Sequence, residues 1–389
     1  MGGYSGGPTY IRNKLLYLRK KGWSVLVFDS TGRANLKIKL ETLIEFKNNR
    51  YKELFYYPQL LRKSKREHII SEIIDKIGKG GDVVIESNTP ALSVWGEMIA
   101  QRLGAKHIIY LLSEKLSIKE KLLYDYFRYK ADRSELFSIN RNAYKKLICN
   151  YETATNVDNH YWAAGIIVPI EDVDCVELSS VINAKYNIGH FGRHKGYFKY
   201  MFQNVACFAQ QHKDESINFI LLGLDSLSKE LQDILPNNVH LKMIPSQQPI
   251  PKRFFDMTDV VIATAGCANI SFRHGAKVIA MDVENNVPLG VLGYDTRDRN
   301  IRSENNPYCL SLFETLENVL VKKRCEGSPV LDFPKSNNGY DYQLKFATLS
   351  DGRYYDVDKV FTHQRRVISF LLKLNLISFC SALRYKNNN

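Results

Sequence analysis

Cysteine is scarce and poorly spaced for chemistry. Seven cysteines occur in 389 residues, at 149, 175, 207, 267, 309, 325 and 380, and the closest two are 16 apart. An odd, scattered set excludes a dense disulfide framework, a CxxC redox motif and the common zinc spacings, and it fits a reduced, cytoplasmic chain. Long hydrophobic runs are lacking too. No stretch reaches the ~18 uninterrupted apolar residues of a membrane-spanning helix. The nearest approach, 367–383, is broken by Lys373 and Asn375. Met1-Gly2-Gly3 is not followed by an apolar core, so no signal peptide is expected. Acidic residues are sparse in one region: residues 1–150 hold 28 Lys/Arg against 15 Asp/Glu. Residues 151–389 hold 26 of each, and the chain beyond Asp358 has six basic residues and no acidic one.

What is present is an ordinary globular mixture, 44% hydrophobic and 24% charged, with a net charge of +13. That composition excludes collagen, a coiled-coil rod and a fully disordered chain. A basic front, a mildly acidic middle and a basic tail point to an anionic partner: nucleic acid, a membrane surface or a phosphorylated ligand.

Helical and strand patterns alternate along the chain. Helices are predicted over 8–21, 60–77 and 91–103, and strands over 23–29, 82–85 and 106–112. The stretch 113–148 interleaves Lys and Arg with Tyr, Phe and Leu and reads as one or two basic, aromatic-rich helices. After a weaker region a second set begins. Its strands fall at 187–191, 217–222, 239–243, 259–263 and 277–281. Its helices fall at 197–211, 267–274 and 310–324. Residues 325–353 read as a loop and 357–383 as a final helix. Such alternation is the pattern of parallel, doubly wound sheets.

Open parallel sheets bind ligands at the carboxyl ends of their strands, where helix N-termini offer N–H groups to anions. Three turns fit that rule. The first holds Gly6 and Gly7, just before the first helix. The second is Gly192-Arg193-His194-Lys195-Gly196, whose two cations suit a diphosphate. The third is Thr264-Ala265-Gly266-Cys267-Ala268-Asn269, where small residues leave room at a helix start. Gly223 closes the strand between them. His190 and His194 flank the second turn. On the acceptor side Glu86, directly after DVVI, is the first choice for a base or positioning group, with Asn88 and Glu114 behind it. The pairs Asp172/Asp174 and Asp356/Asp358 have metal-holding spacing but follow no strand in a cleft pattern, so no metal is expected.

The order of these motifs resembles the GT-B glycosyltransferases, especially the retaining family of bacterial capsule and lipopolysaccharide assembly. NIGHFGRHKG is similar to that family's strand-turn-helix, FILLGLDS to its strand-Gly step, and DVVIATAG through GAKVIAMDV to its donor-pocket turn. The resemblance implies two Rossmann-like domains facing each other across a cleft, over 1–165 and 166–355, with 356–389 returning to the first. It implies a sugar moved from a nucleotide-diphosphate sugar to a glycan or lipid-diphosphate-linked acceptor. The donor is then a co-substrate, with no bound cofactor. Arg193, Lys195 and the N–H groups of 266–268 would stabilise the leaving diphosphate. Gly6, Gly7, Gly192, Gly223, Thr264, Gly266, Cys267, Ala268, Asn269, Ser271 and Glu284 would complete the donor site.

Three departures stand out. The family normally has a strand before the glycine loop, whereas Met1 stands almost inside that loop, so either the sheet has lost a strand or the chain is shortened. Arg193 and Lys195 stand closer together than usual. The family's two acidic positions are Ala263 and Ser271, which leaves Ser271, Asn269 or Glu284 to hold the ribose and leaves retention or inversion open. The basic aromatic stretch, with Lys119, Lys121, Tyr124, Arg128 and Lys130, is expected to face the acceptor or an anionic membrane, at the inner face of the plasma membrane. A nucleotide-sugar epimerase of the same fold is the second reading. A nucleic-acid binder is the weaker third, since no zinc finger, helix-turn-helix or RNA-recognition signature is present.

Overall fold

In a computed structural model of the chain, residues 6–29, 49–78, 82–112, 123–138, 144, 170–247, 249–331 and 352–358 are described. The chain divides into two compact units, one of residues 14–164 with 338–389 and the other of residues 1–13 with 165–337.

The helices of the first half are α1 (Gly6–Lys20), α2 (Lys63–Ile77), α3 (Pro90–Leu103) and α4 (Tyr124–Asp132). The strands β1 (Phe28–Asp29) and β2 (Asn49–Arg50) form a short parallel pair. A three-stranded parallel sheet, order β3-β4-β5, is built from Val84–Ser87, Lys106–Leu111 and Leu136–Ser138. Ile108, Ile109, Tyr110 and Leu111 of β4 are all buried, as a central parallel strand requires. The helix α3 packs on this sheet because its ends are well specified. Thr89 Oγ1 accepts from Leu92 N at 3.3 Å, Pro90 opens the first turn, and Gly104 closes the helix at φ +64. Its Val94, Trp95, Met98 and Ile99 join the core, and Trp95 Nε1 donates to Tyr56 O at 2.7 Å.

Two expectations change here. Among the described residues the strand expected over 23–29 is Phe28–Asp29, paired with Asn49–Arg50. Residues 136–138, expected as helix, form β5. Leu136 and Phe137 are buried and pair with β4, so tertiary burial decides over local propensity. The described residues 352–358 pack on the first unit. There Tyr354 Oη donates to Ala105 O at 2.9 Å, and Gln59 Nε2 donates to Val357 O at 3.0 Å.

The second unit carries β6 (Ile170–Glu171), β7 (Tyr186–Phe191), β8 (Ile217–Leu222), β9 (Val239–Ile244), β10 (Ile250–Pro251), β11 (Val260–Ala263), β12 (Val278–Met281) and β13 (Pro288–Val291). Six of these form a sheet in the order β13-β12-β11-β7-β8-β9. All its pairings are parallel except β12 with β13. That antiparallel edge has no counterpart among the expected elements. Its helices are α5 (Val176–Ser179), α6 (Phe198–Gln211), α7 (Lys229–Gln232), α8 (Lys252–Met257), α9 (Ala265–Arg273) and α10 (Leu312–Leu316). On α6, Phe198, Met201, Phe202, Val205, Phe208 and Ala209 recur at helical spacing and are buried. The helix expected over 310–324 is α10, capped by a Ser311/Glu314 box, and then widens to a π-turn at Glu317–Val321.

At Gly189, in β7, a Cβ would stand 2.8 Å from Thr258 Cγ2 and 3.0 Å from Phe254 Cζ. Gly189→Ala is therefore expected to destabilise the second unit by about 1–3 kcal/mol through overpacking. Scanning calorimetry checks this. An unshifted transition would show that α8 does not close on β7 as described.

Candidate functional site

The strand order of the second unit reverses direction between β7 and β11. A ligand crevice in an open α/β sheet forms at such a switch point, outside the carboxyl ends of the strands. Both predicted turns of this unit begin there. One, 192–196, leaves β7. The other, 264–269, leaves β11 and opens α9.

Glycine is required where the turns touch. Gly192 adopts φ +137, and a Cβ on it would stand 3.5 Å from Cys267 Sγ and 3.8 Å from His190 Nε2. Gly223, at the end of β8, adopts φ +102, and its Cβ would stand 3.1 Å from Gly192 O. Both positive φ angles disfavour a side chain, and at Gly223 a Cβ would also press on the Gly192 backbone. The turns thus meet through glycine and cysteine, with Arg193 exposed and Lys195 half-buried on the first of them.

The second turn is held in a strained shape. Ala265 adopts φ +52, and its N–H donates to Arg299 O at 2.7 Å. Thr264 Oγ1 donates to Met281 O at 3.0 Å and to Arg299 O at 3.2 Å, so its hydroxyl fastens the turn to β12 instead of capping α9. Ala268 N–H, expected at the diphosphate, donates to Thr264 O at 3.3 Å, and its methyl lies in the core. Gly266 and Cys267 stand in the first turn of α9. Ser271 requires a correction. It is fully buried, and its Oγ donates back to Cys267 O at 2.9 Å, so its hydroxyl is turned onto its own helix and not toward a ribose. Asn269 Oδ1 is buried without a hydrogen-bond partner.

A third loop, between β12 and β13, completes the place. Asp282 is fully buried and accepts from Glu284 N at 2.7 Å, Asn285 N at 3.1 Å and Arg302 N at 3.2 Å. Asn286, at φ +59, brings a buried and unpartnered Oδ1 within 3.1 Å of where a Gly196 Cβ would be. Glu284 is half-buried on this loop. Asp282 and Asn286 were missed in the sequence, although the run Asp-Val-Glu-Asn-Asn after a strand is a turn signal.

In the first unit Glu86 ends up paired. Lys14 Nζ contacts its Oε2, and Asn88 Nδ2 donates to its Oε1 at 3.0 Å. Both oxygens are thus engaged, and a role as base requires one partner to give way. Burial holds the Lys14 ammonium below its usual pKa, against the pull of Glu86. Gly6 and Gly7 open α1. Lys119, Lys121 and Glu114 lie outside the described residues.

Of the expected membrane-facing group, Arg128 is exposed beside Asp132, and Tyr124 is half-buried. Lys130 is the second correction. It is 1% exposed, and its Nζ lies 2.6 Å from Glu97 Oε2 and 2.8 Å from Glu135 Oε2. Two buried carboxylates claim it, so it faces no membrane. Among the described residues no cluster of three or more His, Cys, Asp or Glu is arranged to hold a metal ion, and no helix is long and apolar enough to cross a membrane.

No protein-family model and no curated relative matches the chain. Solved structures do. A glycosyltransferase from Rickettsia africae superposes with a TM-score of 0.53 at 12% identity, over 95% of this chain and 96% of that one. The chain has the GT-B fold. Other GT-B structures are similar at lower scores. UGT89C1 of Arabidopsis thaliana, complexed with UDP-L-rhamnose, gives a TM-score of 0.46 at 11% identity, over 92% and 95% of the two chains. The UDP-GlcNAc 2-epimerase of Neisseria meningitidis, bound to UDP-GlcNAc, gives 0.41 at 13% identity, over 94% and 96%. Within this GT-B chain, the glycine-lined switch point belongs to the second unit.

Proposed function

We propose that the chain is a glycosyltransferase that moves a sugar from a nucleoside-diphosphate sugar to a glycan or lipid-linked acceptor, in bacterial surface polysaccharide or lipopolysaccharide synthesis. One observation carries this reading: two tight turns, one bearing Arg193 and Lys195, meet at the switch point of the β7/β11 sheet. The shared fold supports it.

In this scheme Arg193, Lys195 and the positive end of the α9 dipole offset the charge that develops on the departing diphosphate. No metal carries that charge. Asn269, Glu284 and Asn286 line the same strand ends and suit the ribose or sugar hydroxyls. The acceptor is held by the first unit, where Glu86 with Asn88 is the candidate positioning pair. Arg128, Lys52, Arg62, Lys63 and Lys65 are exposed on the first unit, and with the basic tail they suit a peripheral position on an anionic membrane from the cytoplasmic side.

The test is binding and turnover with UDP-, GDP- and other nucleotide sugars, with and without EDTA. Thermal stabilisation by one class of nucleotide sugar, unchanged by EDTA, is expected. Arg193→Ala and Lys195→Ala are each expected to weaken that binding by about tenfold, the scale of one charge-assisted hydrogen bond. Stabilisation by oligonucleotides and by no nucleotide sugar would sink the reading. Interconversion of the free nucleotide sugar without any acceptor would replace it with an epimerase. Flotation with anionic liposomes at low salt checks the membrane position, and failure to float removes it.

A further inference from the structure

A buried histidine lies under the first turn. His190, near the end of β7, has no exposed surface. Its Nδ1 is 2.9 Å from Ile262 O. A carbonyl only accepts, so Nδ1 carries a proton, and in the neutral ring Nε2 is then a bare acceptor. That Nε2 is buried without a hydrogen-bond partner. It faces the point where Gly192 and Cys267 meet, 3.8 Å from where a Gly192 Cβ would be.

An orphaned buried acceptor is costly, and native proteins keep few of them. Here the imidazolium would be better satisfied than the neutral ring. The backbones of Ile262 and Gly192 both favour the protonated form, as carbonyls do. What opposes it is burial first, then the charges of His194 and Lys195 on its own turn. The Tyr197 and Phe198 rings at the start of α6 pack against it, and Cys267 of α9 lies on the far side of Gly192. Burial prevails and holds the imidazole down to about 4. A diphosphate on the turn reverses the local sign: it offsets Lys195 and Arg193 and adds negative charge near Nε2.

We propose that His190 is a positioning residue of the anion site that takes up one proton from solvent when a nucleoside-diphosphate group docks on the 192–196 turn. The new Nε2–H donates to the Gly192 carbonyl and fixes the turn from beneath, and the imidazolium adds a buried positive charge to those of Arg193 and Lys195. No covalent bond changes. The inference rests on the proposed donor site, and it predicts a property of that site, proton uptake by a ring beneath the turn, that goes beyond the charge of Arg193 and Lys195.

The sign follows from linkage. The bound protein holds more protons than the free protein, so affinity rises as pH falls, by up to about tenfold per pH unit between the bound and free values of His190. The experiment is isothermal titration of the full chain with UDP-glucose, UDP-GlcNAc and GDP-mannose at pH 6, in two buffers of different ionisation enthalpy. The diphosphate of these probes is a diester with no group that titrates nearby. Wild type is expected to take up a measurable fraction of a proton per ligand. His190→Gln is expected to take up clearly less, with an affinity that varies less between pH 5 and 8, and His194→Gln, which removes the other imidazole of the turn, is expected to keep the His190 share of the uptake. Binding with no proton uptake in wild type, or with equal uptake in His190→Gln, overturns the inference and leaves the donor site standing. Failure of every nucleotide sugar to bind wild type overturns both. If the Gln variant does not fold, histidine-labelled wild type decides by NMR. Ligand at pH 6 is expected to move the His190 Nε2 resonance from the bare-nitrogen to the N–H range, and an unmoved resonance overturns the inference.

Discussion

Lys130→Ala is expected to destabilise the first unit by about 3–5 kcal/mol, the cost of removing one partner from a buried ion pair. The ammonium is boxed in by three acceptors: Glu97 Oε2, Glu135 Oε2, and His107 O at 3.3 Å. Without it Glu97 and Glu135 face each other's neighbourhood with one counter-charge fewer and little access to water. Glu135 keeps Arg133 at 3.3 Å, while Glu97 keeps only neutral or titrating donors. The lost stem also leaves a cavity between α4 and β4. Tryptophan fluorescence during urea unfolding reads this unit selectively, because Trp23, Trp95 and Trp162 all belong to it. The midpoint is expected to fall by about 2 M. A midpoint within error of wild type would show that Lys130 reaches water after all and would restore it as a surface cation.

That residue also marks where the sequence stops being legible. Strand 217–222 is visible in the sequence because a parallel strand buried on both faces must be apolar throughout, and Ile-Asn-Phe-Ile-Leu-Leu nearly is. The two turns at the switch point are visible for a related reason: close approach favours small residues, here Gly192, Gly223 and Cys267. Lys130 is different. It stands with Tyr126, Phe127 and Ala131 on the buried side of α4, but a single chain read in order treats lysine as solvated. Only the folded register shows that Glu97 from α3 and Glu135 before β5 await it. Asn286 fails in the same way. It counts in the site because the β12–β13 loop brings it against Gly196, ninety residues earlier, and no local pattern encodes that meeting. Ser271 shows the converse error. A hydroxyl at the right spacing looks like a ligand, yet a serine inside a helix has its own carbonyl four residues back to satisfy.

Acid is expected to unfold the first unit in two stages, with Glu97 responsible for about 3 kcal/mol of the loss. Burial raises the cost of the Glu97 charge, but the donors overcome it. His107 Nδ1 lies 2.5 Å from Oε2, Lys130 joins them, and Tyr355 N donates to Oε1 at 2.7 Å. The carboxyl is held down to about 2, against 4.5 for a free glutamate. His107 is also depressed, first by burial and then by Lys130, so in the fold it stays neutral below its usual 6.5. In both cases the unfolded chain binds the proton first, so the sign is the same. Stability is full above about pH 7, begins to fall as unfolded His107 protonates below 6.5, and falls further below 4.5, until Glu97 itself protonates near 2. Urea midpoints by tryptophan fluorescence at pH 7.5, 5.5 and 3.5 measure both stages. Glu97→Gln is expected to start lower, because an amide satisfies Lys130 less well, and to lose the second stage. Parallel curves for wild type and Glu97→Gln between pH 4.5 and 3 would rule out the charged carboxylate as the centre of the network. Because Glu97 also holds the Tyr355 amide, the same protonation is expected to free residues 352–358 from the unit, which limited proteolysis at pH 3 would detect as cleavage near Gly352 before the core is cut.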